Sequence, residues 1–372
     1  MMTSSNIGLY VHIPFCKRKC NYCDFCSFAS DDAERSRYVD ALVADIESYR
    51  GAGVALNSIF FGGGTPSLLS TDEFTRIYEA IKRTFNISPD SEFTIEINPA
   101  TIAPEKLAAY KASGVNRISI GLQSVRENEL KILGRIHTYA DFLNTYKLCR
   151  DAGFDNINVD LMYAFPEQTA ESLRESVNEV IRLSPEHISL YGLILEKGTP
   201  LYKMKDSLVF PDEDTELSMY RLVTELLSKA GYSHYEISNY AKTGCESRHN
   251  LKYWRDQEYI GVGLSAYSYF LGERYGKCAD MSSYIEDPMS KAYSEKIAPD
   301  EEKKEYVMLA LRLAEGLSFA DYKARFSEDF MMGRERLVSE YERLSLLRVT
   351  EEGIALTEDG FYVSNTVISS LM

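Results

Sequence analysis

The stretch Tyr10-Val-His-Ile-Pro-Phe-Cys16-Lys-Arg-Lys-Cys20-Asn-Tyr-Cys23-Asp-Phe-Cys26-Ser-Phe28 sets three cysteines at C-x3-C-x2-C directly after a strand-like run, Gly8 to Ile13. Thiolates are soft ligands, and three of them on one tight loop can hold three irons of a cuboidal [4Fe-4S] cluster while the fourth iron stays open. The same spacing suits a closed zinc site in which Cys26 supplies a fourth thiolate. Spacing alone leaves both open. Tyr10, Phe15, Tyr22, Phe25 and Phe28 crowd the motif, as a shell shielding a cluster would, or as ordinary core residues would.

The chain has 372 residues, a net charge of −15 and seven cysteines. That length accommodates a large α/β domain and a smaller one. The acidic balance argues against a nucleic-acid partner, because phosphate binding is driven by basic patches. An odd cysteine count, with no secretory leader read before the motif, points to a metal or cluster site in a reducing cytoplasm rather than a disulfide framework. No apolar run is long enough for an integral membrane segment. Cys149, Cys245 and Cys278 are scattered and read as small hydrophobes.

Working outward, apolar strands alternate with amphipathic helices. Strands are expected at 57–61, 93–97, 117–120, 156–162 and 187–195, with helices at about 31–49, after the capping box Ser70-Thr-Asp-Glu73, and at 104–113, 127–133, 139–152 and 170–183. With the run at 8–13 this makes six strands, and the alternation predicts a parallel sheet with right-handed crossovers. The expected fold class is α/β, a partial (β/α)6 TIM-type barrel followed by a mostly helical, winged-helix-like C-terminal domain. The expected domains are 1–205, 206–295 and 296–372.

In such architectures chemistry gathers at the C-terminal ends of the strands. The cysteine loop, Gly62-Gly63-Gly64-Thr65, Glu96 with Asn98, Gln123 and Asp160 all fall there. Taken singly each has a plainer reading: the glycines a tight turn, Glu96 a rim-facing carboxylate, Arg135 a solvated helix-end cation. Gathered on one rim, they favour a cluster with a ligand over zinc.

These motifs resemble the radical S-adenosylmethionine superfamily, and within it the branch of oxygen-independent coproporphyrinogen oxidases and HemW-like haem chaperones. The resemblance runs through Arg117-Ile-Ser-Ile-Gly-Leu-Gln123, Leu133-Gly-Arg135, Asn158-Val-Asp160 and Phe165-Pro-Glu-Gln-Thr169. It implies that Cys16, Cys20 and Cys23 hold the [4Fe-4S] cluster. It also implies that the open iron binds S-adenosylmethionine and that an electron from the cluster splits it to methionine and a 5′-deoxyadenosyl radical. By position, Tyr10, Gly63, Gly64, Thr65, Glu96, Gln123, Arg135 and Asp160 would contact that ligand. Arg135 suits a carboxylate and Asp160 the ribose hydroxyls.

Further on, Arg248-His249-Asn250-Leu-Lys-Tyr253-Trp254 holds the chain's single tryptophan. A histidine among aromatics is by default a packed core residue. The His-Asn-x-x-Tyr-Trp motif is similar to one in HemW-like chaperones, and that resemblance makes His249 the candidate haem contact. Tyr267 stands where relatives usually carry histidine. Fifteen residues precede Cys16, where the oxidases have a longer segment, and Cys26 sits one position beyond their fourth cysteine. The expected function is therefore a haem chaperone that binds haem, cluster and S-adenosylmethionine and passes haem to acceptor apoproteins. A coproporphyrinogen III oxidase is the alternative, and a homodimer is a further partnership to test. The C-terminal unit, on so acidic a chain, reads as a lid or docking module.

Overall fold

All six expected strands form. The computed structural model describes residues 6–372, and its strands β1 (Ile7–Ile13), β2 (Ala55–Gly63), β3 (Asn86–Ile97), β4 (Arg117–Gln123), β5 (Ile157–Tyr163) and β6 (His187–Gly192) pair in that order, every pair parallel. Strands covered on both faces should read as apolar runs. Accordingly Leu9, Val11, Ile13, Ile59, Phe61, Ile95, Ile118, Ile120, Val159, Leu161 and Ile188 are all buried. The crossover helices Asp32–Glu47, Thr71–Thr84, Pro104–Ala112, Tyr139–Asp151 and Ala170–Leu183 pack against them. The capping box at Ser70 is complete: its hydroxyl accepts from Glu73 N, and the Glu73 carboxylate accepts from Ser70 N at 2.7 Å.

Two strands differ from expectation at their ends. β3 begins at Asn86 rather than near Phe93, because the ladder breaks register between Leu56 and Ser58. That break accommodates Pro89, which has no N–H to donate. β6 stops at Gly192 instead of Leu195; the Leu193 N–H makes the last bond of the β5–β6 ladder, donating to Tyr163 O at 2.9 Å.

The sheet does not end with these six. Strands β7 (Ser233–Glu236) and β8 (Asn239–Ala241) add antiparallel beyond β6, while β9 (Tyr259–Val262) pairs parallel with β1. Beyond β9 lie β10 (Tyr267–Phe270), β11 (Glu273–Lys277) and β12 (Lys291–Lys296). The result is one twelve-stranded sheet, ordered β12-β11-β10-β9-β1-β2-β3-β4-β5-β6-β8-β7. A buried ion pair, Asp45 to Lys277 at 2.7 Å, ties this added flank to the first helix. The other Asp45 oxygen accepts from Tyr284 Oη and Gly263 N. Residues of the middle segment thus complete the core sheet at both edges.

The C-terminal part carries the helices Pro299–Ala310, Phe319–Phe326, Glu335–Arg343, Glu358–Tyr362 and Ser364–Leu371. Its small antiparallel sheet is formed by β13 (Leu317–Ser318), β14 (Leu347–Val349) and β15 (Gly353–Leu356). This agrees with the winged-helix-like pattern. Among the described residues, no helix is long and apolar enough to cross a membrane.

Candidate cluster and ligand site

The cysteine loop leaves β1 and is closed at its base, where Cys16 N donates to Phe28 O at 3.0 Å and Phe28 N to Pro14 O at 2.9 Å. Asn21 pins its tip. Its backbone N–H and side-chain amide donate to Leu133 O and Ile132 O, both at 2.9 Å, and its carbonyl accepts from Leu201 N. Gly134 permits this approach: its φ is +74°, and a Cβ there would lie 2.8 Å from Asn21. The glycine read as a helix stop is equally a contact surface for the loop.

Each motif thiol faces a donor. Thr65 Oγ1 lies 3.6 Å from Cys16 Sγ, Arg135 Nη1 3.4 Å from Cys20 Sγ, and Ser27 Oγ 4.0 Å from Cys23 Sγ. Asn98 joins two of these donors, giving its amide to Thr65 Oγ1 and accepting from Arg135 Nη2, both at 2.7 Å. Such contacts to sulfur orient ligands and tune a cluster's potential. Burial pushes the Cys16 and Cys23 thiols up, so the thiolate form needs a compensating cation. Sequence reasoning missed Asn21 and Ser27 and saw Asn98 only as a rim residue. The signal it could have used is their place in Cys20-Asn21 and beside Pro99.

Of the eight residues expected at S-adenosylmethionine, five are divided between two cavities on either side of the loop. Tyr10, Gly63 and Glu96 line a cavity of about 340 Å³, with His12, Phe25, Cys26, Tyr253, Tyr259 and Tyr267 around them. Thr65 and Arg135 line a smaller one of about 190 Å³, with Lys17, Arg18, Cys20 and His137. Gln123 and Asp160 belong to the lining of neither. Gln123 ends β4 with φ +77°, and its buried Oε1 has no hydrogen-bond partner. Strain together with an orphaned buried acceptor at a strand end is compatible with a ligand subsite. Gly64 lies beneath the loop, where a Cβ would meet Phe15 O at 2.7 Å.

The electrostatics suit a cationic ligand. Glu96 Oε2 accepts from Gly63 N at 3.2 Å. Burial first, and the Asp160 carboxylate second, push the Glu96 carboxyl up to about 8. Asp160, also raised by burial, accepts from Asn158 Nδ2 at 2.7 Å. Two buried carboxylates within electrostatic reach of each other favour holding a proton until a cation arrives. An ammonium and a sulfonium are such cations, so the residues present fit S-adenosylmethionine. On the other side, burial and Arg135 lower His137 to about 4, which leaves Lys17, Arg18 and Arg135 to make that cavity positive.

His249 sits elsewhere. It lies on the short helix Arg248–Trp254, whose first N–H groups are capped by Glu92, and it is only 1% exposed. Nδ1 hydrogen-bonds with Ser58 Oγ and Nε2 with Tyr253 Oη, both at 2.9 Å, and the ring stacks on Phe60. Burial lowers it to about 3. Tyr253, one helical turn on, is the member of the motif that reaches the larger cavity. The structure therefore brings Tyr10, Gly63 and Glu96 to one cavity beside the cysteine loop and Thr65 and Arg135 to another, and sets His249 behind Tyr253.

A strand-end cysteine loop on a parallel α/β sheet, backed by a glycine cradle and paired carboxylates, defines a radical SAM protein. The family model described as Radical SAM superfamily matches residues 10–180, and that of the HemN C-terminal domain matches 297–363. The heme chaperone HemW of Bacillus subtilis is 34% identical, with 98% of each chain covered. The heme chaperone HemW of Escherichia coli is 39% identical over 70% of this chain and 69% of its own. In fold, the chain matches coproporphyrinogen III oxidase (HemN) of Escherichia coli at TM-score 0.86 and 21% identity, covering 99% of this chain and 90% of that one. The chain belongs to the HemW family of radical SAM proteins.

Proposed function

We propose that the chain is a haem chaperone of the radical SAM type, which binds haem, carries a [4Fe-4S] cluster on Cys16, Cys20 and Cys23, and delivers haem to acceptor apoproteins. The observation that carries the reading is the end-to-end likeness to the Bacillus subtilis HemW. S-adenosylmethionine, when bound, supplies a one-electron-cleavable sulfonium. The protein's own part is to hold it. Glu96 and Asp160 attract its cationic groups, Arg135 offers a guanidinium, and Gln123, Tyr10 and the Gly63–Thr65 turn complete the contacts. Arg135 also touches Cys20, so ligand and cluster share one positioning side chain.

His249 would act on haem through Tyr253, whose phenol it orients. The unit at 296–372 is the docking module for acceptors, and 206–295 forms the haem-side flank of the core at 1–205. The site of action is the cytoplasm, in keeping with free thiols.

The test against an oxidase is direct. The protein is loaded with cluster under anaerobic conditions and incubated with reductant, S-adenosylmethionine and coproporphyrinogen III, and the porphyrinogen is weighed by mass spectrometry. Its mass should stay unchanged while the same preparation binds haem. Loss of carboxyl groups at or above the protein's stoichiometry would replace the proposal with the oxidase.

A further inference from the structure

We propose that the phenolic oxygen of Tyr267 is an axial ligand of ferric haem held across the mouth of the larger cavity, an inference that rests on the haem-binding reading above. At about 340 Å³ the cavity is at the small end of the roughly 300–1,000 Å³ typical of ligand sites. Its floor is the polar Tyr10, Gly63 and Glu96 end. A macrocycle must therefore lie over the mouth rather than inside. Phe25 and Tyr267 stand there, 68% and 56% exposed, and offer aromatic surface on which a flat macrocycle can stack. Lys19, exposed and donating to Phe25 O at 2.8 Å, offers a propionate a cation on the same rim.

The choice of ligand follows from which lone pairs are taken. His12 uses both ring nitrogens, with Tyr10 Oη at 3.0 Å and Cys26 O at 2.8 Å. Tyr253 Oη is held by His249, Glu96 Oε2 accepts from Gly63 N, and Glu96, Tyr253 and Tyr259 are all less exposed than Tyr267. Cys26 Sγ is directed at Ala279 O at 3.9 Å. Tyr267 alone combines high exposure with a rigid mount. It stands on β10 opposite Gly276, where a Cβ would come within 3.0 Å of its ring, and Tyr293 lies 6.5 Å away.

Tyrosinate is a known type of haem ligand. With ferric haem bound, the Tyr267 phenol would give its proton to water and supply an anionic oxygen that favours Fe(III) over Fe(II). Were a low-potential one-electron donor such as a reduced iron–sulfur protein to reduce the iron, that oxygen would take a proton back from water, its bond to iron would break, and haem would be free to leave. Ligation by Tyr267 would thus make release a response to reduction.

Cluster-loaded wild type, Tyr267→Phe and Tyr267→His are titrated anaerobically with ferric haem and followed by difference absorbance and resonance Raman. We expect a phenolate-to-iron charge-transfer band with phenolate ring modes in the wild type. In Tyr267→Phe these should vanish and haem should bind about tenfold or more weakly. Tyr267→His should restore binding with an imidazole spectrum, and dithionite should release haem from wild type but not from that variant. A Tyr267→Phe protein with wild-type spectrum and affinity, or a thiolate spectrum lost in Cys26→Ser, overturns this ligand assignment and leaves the haem reading standing. A wild type that binds no haem overturns both.

Discussion

Two cavities flank the cysteine loop, and they differ in chemistry more than in size. The one beside Cys20 is walled by Lys17, Arg18 and Arg135. The one beside Cys26 is walled by four tyrosines and Glu96. The loop divides a cationic face from a phenolic one on a chain that is strongly acidic overall. The lesson is that the rim is assembled from two halves of different origin. The strands β1 to β5 and the loops that follow them carry the residues proposed for the cluster and its ligand, while the flank β9 to β12 brings Tyr259 and Tyr267 to the other side.

The comparison breaks most completely at the loop itself. Cys20→Ser removes a cluster ligand from the cationic side and the acceptor of an Arg135 contact. It should abolish cluster iron and sulfide while the circular dichroism of the fold is retained. Iron and sulfide at wild-type levels would remove Cys20 from the ligand set.

Breaking only the phenolic half should be a matter of stability. Asp45→Ala leaves the buried Lys277 ammonium unpaired and frees Gly263 and Tyr284, a change that costs about 3–5 kcal/mol. A denaturant midpoint should report it. Haem binding should fall with it while the cluster survives, since none of the cluster contacts passes through the flank. Equal loss of both would mean that the halves are one unit.

Charge at the floor gives a smaller, pH-dependent effect. With Glu96 at about 8 in the free protein, its carboxylate is the minor form at pH 7, and a cationic ligand binds that form better. Affinity for S-adenosylmethionine should therefore rise as pH climbs from about 6 to 8 and flatten above. Glu96→Gln should bind more weakly at pH 8 and lose most of that slope. A wild-type affinity that falls over the same range, measured by calorimetry, would place the ligand's positive groups elsewhere.

The smallest effect is expected at His249. His249→Ala removes a buried ring that meets solvent nowhere and leaves Ser58 and Tyr253 without a partner, so about 1–3 kcal/mol of stability is at stake. Haem affinity should fall less than in Tyr267→Phe. A larger fall would bring His249 itself to the iron.

What could be read without coordinates follows from the size of each signal. The six βα units carry apolar periodicity over whole elements, and the rim residues sit at strand ends that the periodicity locates. The strands of the flanks do not announce themselves. β7 to β12 are three to six residues long, and β12, Lys291–Lys296, is exposed along its whole length, so no alternation marks it. The start of β3 at Asn86 was not legible, because the register break that lets the strand run through Pro89 is a property of its pairing with β2. His249 could be placed in a motif but not on a face. Its spacing of four from Tyr253 was a clue only that the two rings share a face and touch; which of them meets the cavity is decided by the strands packed around them.

The most direct test loads the protein with cluster, titrates it anaerobically with ferric haem, and measures haem absorbance together with cluster iron and sulfide on the same samples. If the cluster occupies the loop and haem the phenolic side, haem binding should saturate with iron and sulfide unchanged. Haem that binds only as the cluster is lost would mean that both compete for the same thiols, and the division of the rim into two halves would fail.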